Sequence, residues 1–149
     1  MFVFKAAVVG AGTMGGEIAH TIASSGIPVV LKDVDQKLAD QGLDKARSLG
    51  QVSVDAGRLE AAELERRLAL ISPTTGYAEF GDVDFVIEAV PERMEIKQTV
   101  FSELDQVTPS HAILASNTSS LSITELGRPP ADPTRWSAFI SSIRLRRCG

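Results

Sequence analysis

Residues 6–16 read Ala-Ala-Val-Val-Gly-Ala-Gly-Thr-Met-Gly-Gly, an apolar run that feeds straight into a glycine-rich turn. Nothing else in the chain restricts its fold as strongly. Gly10 permits a tight turn out of a strand, Gly12 lets a phosphate approach the backbone, and Gly15 lets the following helix pack closely on the sheet. The free N–H groups at that helix start, with the positive end of its dipole, suit a pyrophosphate. The flanks agree with this. Phe4 to Val9 is apolar enough for a strand buried on both faces. Met14, Ile18 and Ile22 recur at every fourth residue, the spacing of a helix buried along one side, and Gly26 sits where a helix ends. A second apolar run, Ile27 to Leu31, leads to Lys32-Asp33. Asp33 lies roughly 20 residues past the turn, where an acid meets the ribose hydroxyls of NAD and repels the extra phosphate of NADP. Gly10, Ala11, Gly12, Thr13, Met14, Gly15 and Asp33 are therefore the candidate cofactor-binding residues, with NAD as the cofactor and no metal.

At 149 residues the chain fits one domain with a proper core. A net charge of −4 offers no footprint for nucleic acid or for an anionic membrane. Cys148 is the only cysteine, so no internal disulfide forms and a reducing, cytoplasmic setting is expected. No run is long enough to span a membrane, and Lys5 interrupts the apolar N-terminus before it resembles a signal peptide.

Asp35 to Leu70 has a helical pattern: Leu38, Leu43, Ala46 and Leu49 mark one helix, Glu60 to Leu70 a second, and Asp55-Ala-Gly the turn between. That is longer than an ordinary crossover, and physics alone leaves open whether the hairpin is decoration or leans over a substrate. Ile71-Ser72 reads as a short strand and Asp84 to Val90 as a buried one, ended by Pro91. Glu92 to Leu104 is helical through Ile96, Val100 and Leu104, and Ala112 to Ala115 is another strand. The alternation of strands and helices implies a parallel, doubly wound α/β sheet. Ligands bind at the carboxyl ends of such strands, where Asp33, the Glu88–Lys97 cluster and Ser116–Ser120 converge.

Four segments together resemble the NAD-binding domain of the 3-hydroxyacyl-CoA dehydrogenases: Gly10 to Gly16, Val29-Val-Leu-Lys-Asp33, Val86-Ile-Glu-Ala-Val-Pro-Glu92, and Leu114-Ala-Ser-Asn-Thr-Ser-Ser-Leu-Ser-Ile-Thr124. The Val-Val-Leu-Lys-Asp version looks more like the multifunctional β-oxidation subunits. The resemblance implies a Rossmann-type sheet with a helical hairpin inserted after the second strand. It implies that Glu92 and Lys97 lie along the cofactor, that Asn117 shapes the last loop, and that Ser119 contacts both the nicotinamide end and the substrate's 3-oxygen. It places the hairpin near the CoA moiety of an acyl-CoA substrate. The family reaction is reversible oxidation of 3-hydroxyacyl-CoA, with a histidine base oriented by a glutamate, and the family dimerises through a C-terminal helical domain.

The resemblance covers residues 1 to 127, and 128–149 reads as an irregular tail outside it. The two histidines, His20 in the first helix and His111 ahead of a strand, stand away from the family's base. The family's next strand reads approximately Arg-Val-Val-Gly-Phe-His-Phe-Phe, whereas this chain has Arg135-Trp-Ser-Ala-Phe-Ile-Ser-Ser-Ile-Arg144. Trp136 to Ile140 are encoded by TGG, TCN, GCN, TTY and ATH, taking Ser137 as TCN. Read one base earlier, the same bases permit Val-Val-Gly-Phe-His. A change of frame between Gly127 and Trp136 is therefore expected, removing the catalytic pair, the last strand and the helical domain. Apolar surface left uncovered by that domain predicts self-association.

Overall fold

The structure is a computed structural model that describes residues 3–90 and 93–116. Five four-residue strands, β1 (Ala6–Val9), β2 (Val29–Lys32), β3 (Ile71–Thr74), β4 (Phe85–Glu88) and β5 (Ile113–Ser116), form one parallel sheet in the order β3-β2-β1-β4-β5. The chain winds outward from β1 to β3, then crosses back to β4 on the other side, so the winding reverses between β1 and β4. Pairing is in register along the whole sheet, and Thr74, Lys32, Val9, Glu88 and Ser116 form one row at its carboxyl edge. A reversal of this kind opens a crevice at that edge.

Alternation along the strands divides the core into two layers. Val8, Val29, Leu31 and Ile87 face α1 (Thr13–Ser24), α2 (Gln36–Asp55) and α3 (Ala61–Leu68), meeting Ile18, Ala19, Ala46, Leu64 and Leu68. Ala7, Val9, Val30, Val86 and Leu114 face the 75–84 connection and α4 (Met94–Val107), meeting Phe80, Val83, Phe101 and Leu104.

The first strand is shorter than the apolar run suggests. Phe4 is 76% exposed. Here the side chain of Asp84 takes the place of a strand carbonyl, its Oδ2 accepting from the backbone N–H groups of Phe4 (2.8 Å) and Lys5 (3.1 Å). Its other oxygen lies 2.9 Å from His111 Nε2, and these bonds together hold the Asp84 carboxyl below its usual range.

Helix α2 begins where Asp35 caps it, its side chain accepting from Lys37 N–H at 2.8 Å. It differs from the sequence expectation in the face it buries. Ala39, Gly42, Ala46 and Gly50 point inward, while Leu38 is exposed. The reason is close approach to β2, the glycine turn and α1: a Cβ built on Gly42 would lie 2.7 Å from Leu31 Cδ2 and 2.9 Å from Ala11 Cβ, and one built on Gly16 of α1 would lie 2.7 Å from the Gly42 carbonyl oxygen. Only small residues fit such a seam, so the larger leucines are displaced to its margins. The turn after α2 falls at Ala56-Gly57, as the sequence suggests, with Gly57 at φ 73°. The hairpin is integral to the core, because α3 contributes the buried Leu64 and Leu68.

Candidate functional site

The end of β1, the start of α1, the end of β2 and the face of α4 enclose a cleft of about 910 Å³ at the carboxyl edge. The glycine turn forms its wall. Gly10 has φ 101°, and a Cβ there would stand 2.7 Å from the Ala89 backbone, so both conformation and space require glycine. Its N–H donates to Lys32 C=O at 2.7 Å, tying the turn to β2. A Cβ at Gly15 would fall 1.7 Å from the Gly10 carbonyl oxygen. Its tightest contact is thus the turn itself, with Val8 of β1 farther away at 3.6 Å. Gly12 is the opposite case, since a Cβ there meets no protein atom within 4 Å. Open space above a helix N-cap that has no side-chain cap and no acid in its first turn suits the backbone approach of a pyrophosphate.

Asp33 is held at the end of β2 by two backbone donors. Its Oδ2 accepts from Ala11 N–H at 2.8 Å and its Oδ1 from Val34 N–H at 2.7 Å. A carboxylate has about four acceptor positions, so a fixed pair of oxygens remains able to take a ribose diol. Gly10, Ala11, Gly12, Met14 and Asp33 all line the cleft. Met14 is 46% exposed, so it belongs to the cleft rim rather than to the buried stripe of α1. The backbone of Thr13 opens α1, and Gly15 lies buried beneath the turn.

Lys97 occupies a different place from the cleft wall. Its ammonium contacts both Glu88 oxygens at 2.8 Å, with both side chains sealed from solvent. Glu88 Oε2 also accepts from Val90 N–H at 2.8 Å. The pair binds the end of β4 to the first turn of α4, and neither side chain lines the cleft. Glu92, Asn117 and Ser119 lie outside the described residues, as does the 128–149 tail. His20 packs half-buried between helices, and burial with the nearby Arg67 pushes its pKa down. His111 is on an exposed turn against Asp84.

Sequence reasoning overlooked the far end of the cleft, where Lys32, Tyr77, Thr99, Val100 and Glu103 line the wall. These residues belong to three distant segments, and no local spacing joins them. The one available signal is that Tyr77 is the only tyrosine, set in a short loop rich in glycine and acids. Val34, Leu38 and Gln41 complete the rim, so the hairpin reaches the cleft through the first turns of α2. An NAD fits these residues: an open glycine for the pyrophosphate, a fixed acid for the ribose, and an apolar-walled space beyond it.

Comparison with known proteins agrees. The family described as "3-hydroxyacyl-CoA dehydrogenase, NAD binding domain" matches residues 5–140. A fatty acid oxidation complex subunit alpha of Pseudomonas savastanoi pv. phaseolicola is 44% identical over 132 residues, which are 89% of this chain and 18% of that protein. The chain therefore spans about a fifth of the length of such relatives. Among solved structures, (S)-3-hydroxybutyryl-CoA dehydrogenase PaaH1 from Ralstonia eutropha superposes with a TM-score of 0.86 at 32% identity, covering 91% of this chain and 48% of that one. The 3-hydroxybutyryl-CoA dehydrogenase from Escherichia coli K12 gives 0.86 at 36% identity, covering 91% and 29%. Helices able to cross a membrane are absent among the described residues. With a Rossmann-type sheet, an open glycine turn and a match across nearly its whole length, the chain belongs to the 3-hydroxyacyl-CoA dehydrogenase NAD-binding domain family.

Proposed function

We propose that this chain binds NAD(H) as the N-terminal cofactor domain of an enzyme that interconverts 3-hydroxyacyl-CoA and 3-ketoacyl-CoA in fatty-acid β-oxidation. The observation that carries this reading is the juxtaposition, at the point of reversed winding, of the open Gly12 backbone with the Asp33 carboxylate fixed by Ala11 N–H at 2.8 Å. Bound there, the dinucleotide supplies the acceptor for a hydride from C3 of the substrate. The chain's own residues bind and orient it. The turn backbone holds the diphosphate, Asp33 holds the adenosine ribose and excludes a 2′-phosphate, and the apolar wall keeps water from the base. In this reading Glu92 lies along the cofactor, Asn117 shapes the loop after β5, and Ser119 orients the substrate's 3-oxygen. Lys97 lies along the cofactor's path without facing the cleft, its ion pair with Glu88 holding the end of β4 against α4.

Proton abstraction needs a base that this polypeptide does not place at the site, since its histidines are His20 and His111. The 149-residue chain is accordingly proposed to bind NAD without turnover, with acyl-CoA as the substrate of the complete enzyme and dimerisation as a property of its helical domain. A cytoplasmic setting is in keeping with its single cysteine, and the net charge of −4 argues against nucleic acid as a partner. A second reading, a non-enzymatic NAD-binding module, is favoured by that same absence of a base.

NADH fluorescence titration and acetoacetyl-CoA reduction test both readings. The purified chain is expected to bind NADH and to show no turnover. Failure to bind NADH overturns the cofactor assignment, and robust turnover overturns the proposed inactivity. Activity in a frame-corrected protein favours the dehydrogenase over the module.

A further inference from the structure

Past Asp33 the cleft continues into an end that neither the phosphate turn nor the ribose carboxylate uses. Lys32 from the end of β2, Tyr77 from the 75–84 connection and Glu103 from α4 meet there. The Lys32 ammonium stands 4.4 Å from the centroid of the Tyr77 ring. Phe80 meets the same ring edge-on, with centroids 5.0 Å apart, and the Tyr77 hydroxyl donates to Glu103 Oε2 at 2.5 Å. The tyrosine is thus fixed at its face, its edge and its tip. Lys32 is only 8% exposed, so the ring face replaces part of the water its charge has given up.

We propose that Lys32, Tyr77 and Glu103 read the base of the bound dinucleotide and select a 6-aminopurine over a 6-oxopurine. This rests on the reading of the cleft as an NAD site. A 6-aminopurine presents an exocyclic amine that donates and ring nitrogens that accept. Glu103 Oε2 is taken by the tyrosine hydroxyl, which sets the carboxylate plane and leaves Oε1 as the acceptor for the amine. Lys32 supplies the donor for a ring nitrogen. Thr99 and Val100, one turn earlier on α4, form the flank against which the base lies. A 6-oxo group turns an oxygen toward the carboxylate, so both acceptors lose a donor. Sites built around a hydrogen bond reject analogues of that kind strongly. Burial and the Glu103 carboxylate both raise the pKa of the Tyr77 hydroxyl, which therefore stays a donor across the neutral range.

The test compares NAD with nicotinamide hypoxanthine dinucleotide by isothermal titration of the 149-residue chain and of Glu103→Gln. Glu103 is exposed, and a circular-dichroism melt checks that the substitution leaves the fold in place. The native chain is expected to prefer NAD by about tenfold or more. In E103Q, whose amide can donate to the 6-oxo group, the ratio is expected to collapse toward one. Tyr77→Phe frees the carboxylate and is expected to lower the ratio severalfold, with a smaller change in the affinity for NAD. Equal binding of the two dinucleotides by the native chain, or an unchanged ratio in E103Q, overturns base reading and leaves the NAD assignment standing. Binding of neither dinucleotide overturns both.

Discussion

The Lys97 ammonium and the Glu88 carboxylate stand 2.8 Å apart, with neither side chain reached by solvent. Removing one member leaves a buried charge without its partner, which typically costs about 3–5 kcal/mol. Lys97→Met is expected to lose stability on that scale in urea denaturation. Lys97→Met combined with Glu88→Gln is expected to lose less than Lys97→Met alone, because the orphaned charge is gone. A double variant at least as unstable as the single one would refute this account.

The three glycines of the turn separate by what a methyl group meets. Gly15→Ala drives a Cβ into the Gly10 carbonyl at 1.7 Å and is expected to unfold the turn or the domain. Gly12→Ala meets no protein atom. Its melting curve is expected to stay within about 1 kcal/mol of the native one, a helix N-cap effect, while NADH affinity falls by about tenfold or more as the methyl occupies the pyrophosphate approach. Thermal melts beside NADH titrations distinguish the two classes.

Asp33→Asn keeps an acceptor for one backbone N–H but loses the charge. Affinity for NAD is expected to drop about tenfold, the loss of one charge-assisted contact. Discrimination against NADP is expected to weaken, since no carboxylate remains to repel the 2′-phosphate. Paired titrations with NADH and NADPH measure both effects, and an unchanged ratio would count against Asp33 as the selector.

Acidification is expected to destabilise the fold in two stages. The folded-state pKa of His20 is lowered, first by burial and then by Arg67. A lowered base binds its proton more readily when unfolded, so its stabilisation is present above its ordinary value of 6.5 and is lost as pH falls below it. Asp84 has its pKa lowered by hydrogen bonds from His111, Phe4 and Lys5. Its contribution is present above its ordinary 3.8 and is lost only as pH falls through the lower folded-state value. Urea midpoints from pH 8 to pH 5 should therefore decline in the native chain and flatten in His20→Gln. A decline of the same size in that variant would remove His20 from the explanation.

Restoring the reading frame between codons 127 and 136 is expected to recover a Val-Val-Gly-Phe-His segment and, with it, reduction of acetoacetyl-CoA by NADH. Sequencing of the transcript across that interval, followed by assay of the frame-restored product, checks this. A transcript that offers no such segment in the neighbouring frame would end the argument.

Much of this molecule is legible in its sequence because the signals are local. The glycine turn, the acid after β2 and the short apolar runs of β1, β2, β4 and β5 depend on neighbours a few residues away. What escapes is set by tertiary approach. Leu38 looks like a core residue of α2, yet the seam with α1 is too narrow for it and buries Ala39 and Gly42 instead. Met14 fits a helical stripe but falls on the side of α1 that opens to the cleft. Lys97 has a partner nine positions away across a strand-to-helix junction, and the meeting of Lys32, Tyr77 and Glu103 spans 71 residues of chain.

The seam between Gly42 and Ala11 carries a lesson for recombination. Any hairpin transplanted from a relative must present a residue without a side chain at the point that rests on the phosphate turn, and two leucines where α3 closes the core. The insert and the turn are therefore coupled, and chimaeras cut between β2 and β3 are expected to fold only when the hairpin brings that glycine and those leucines with it.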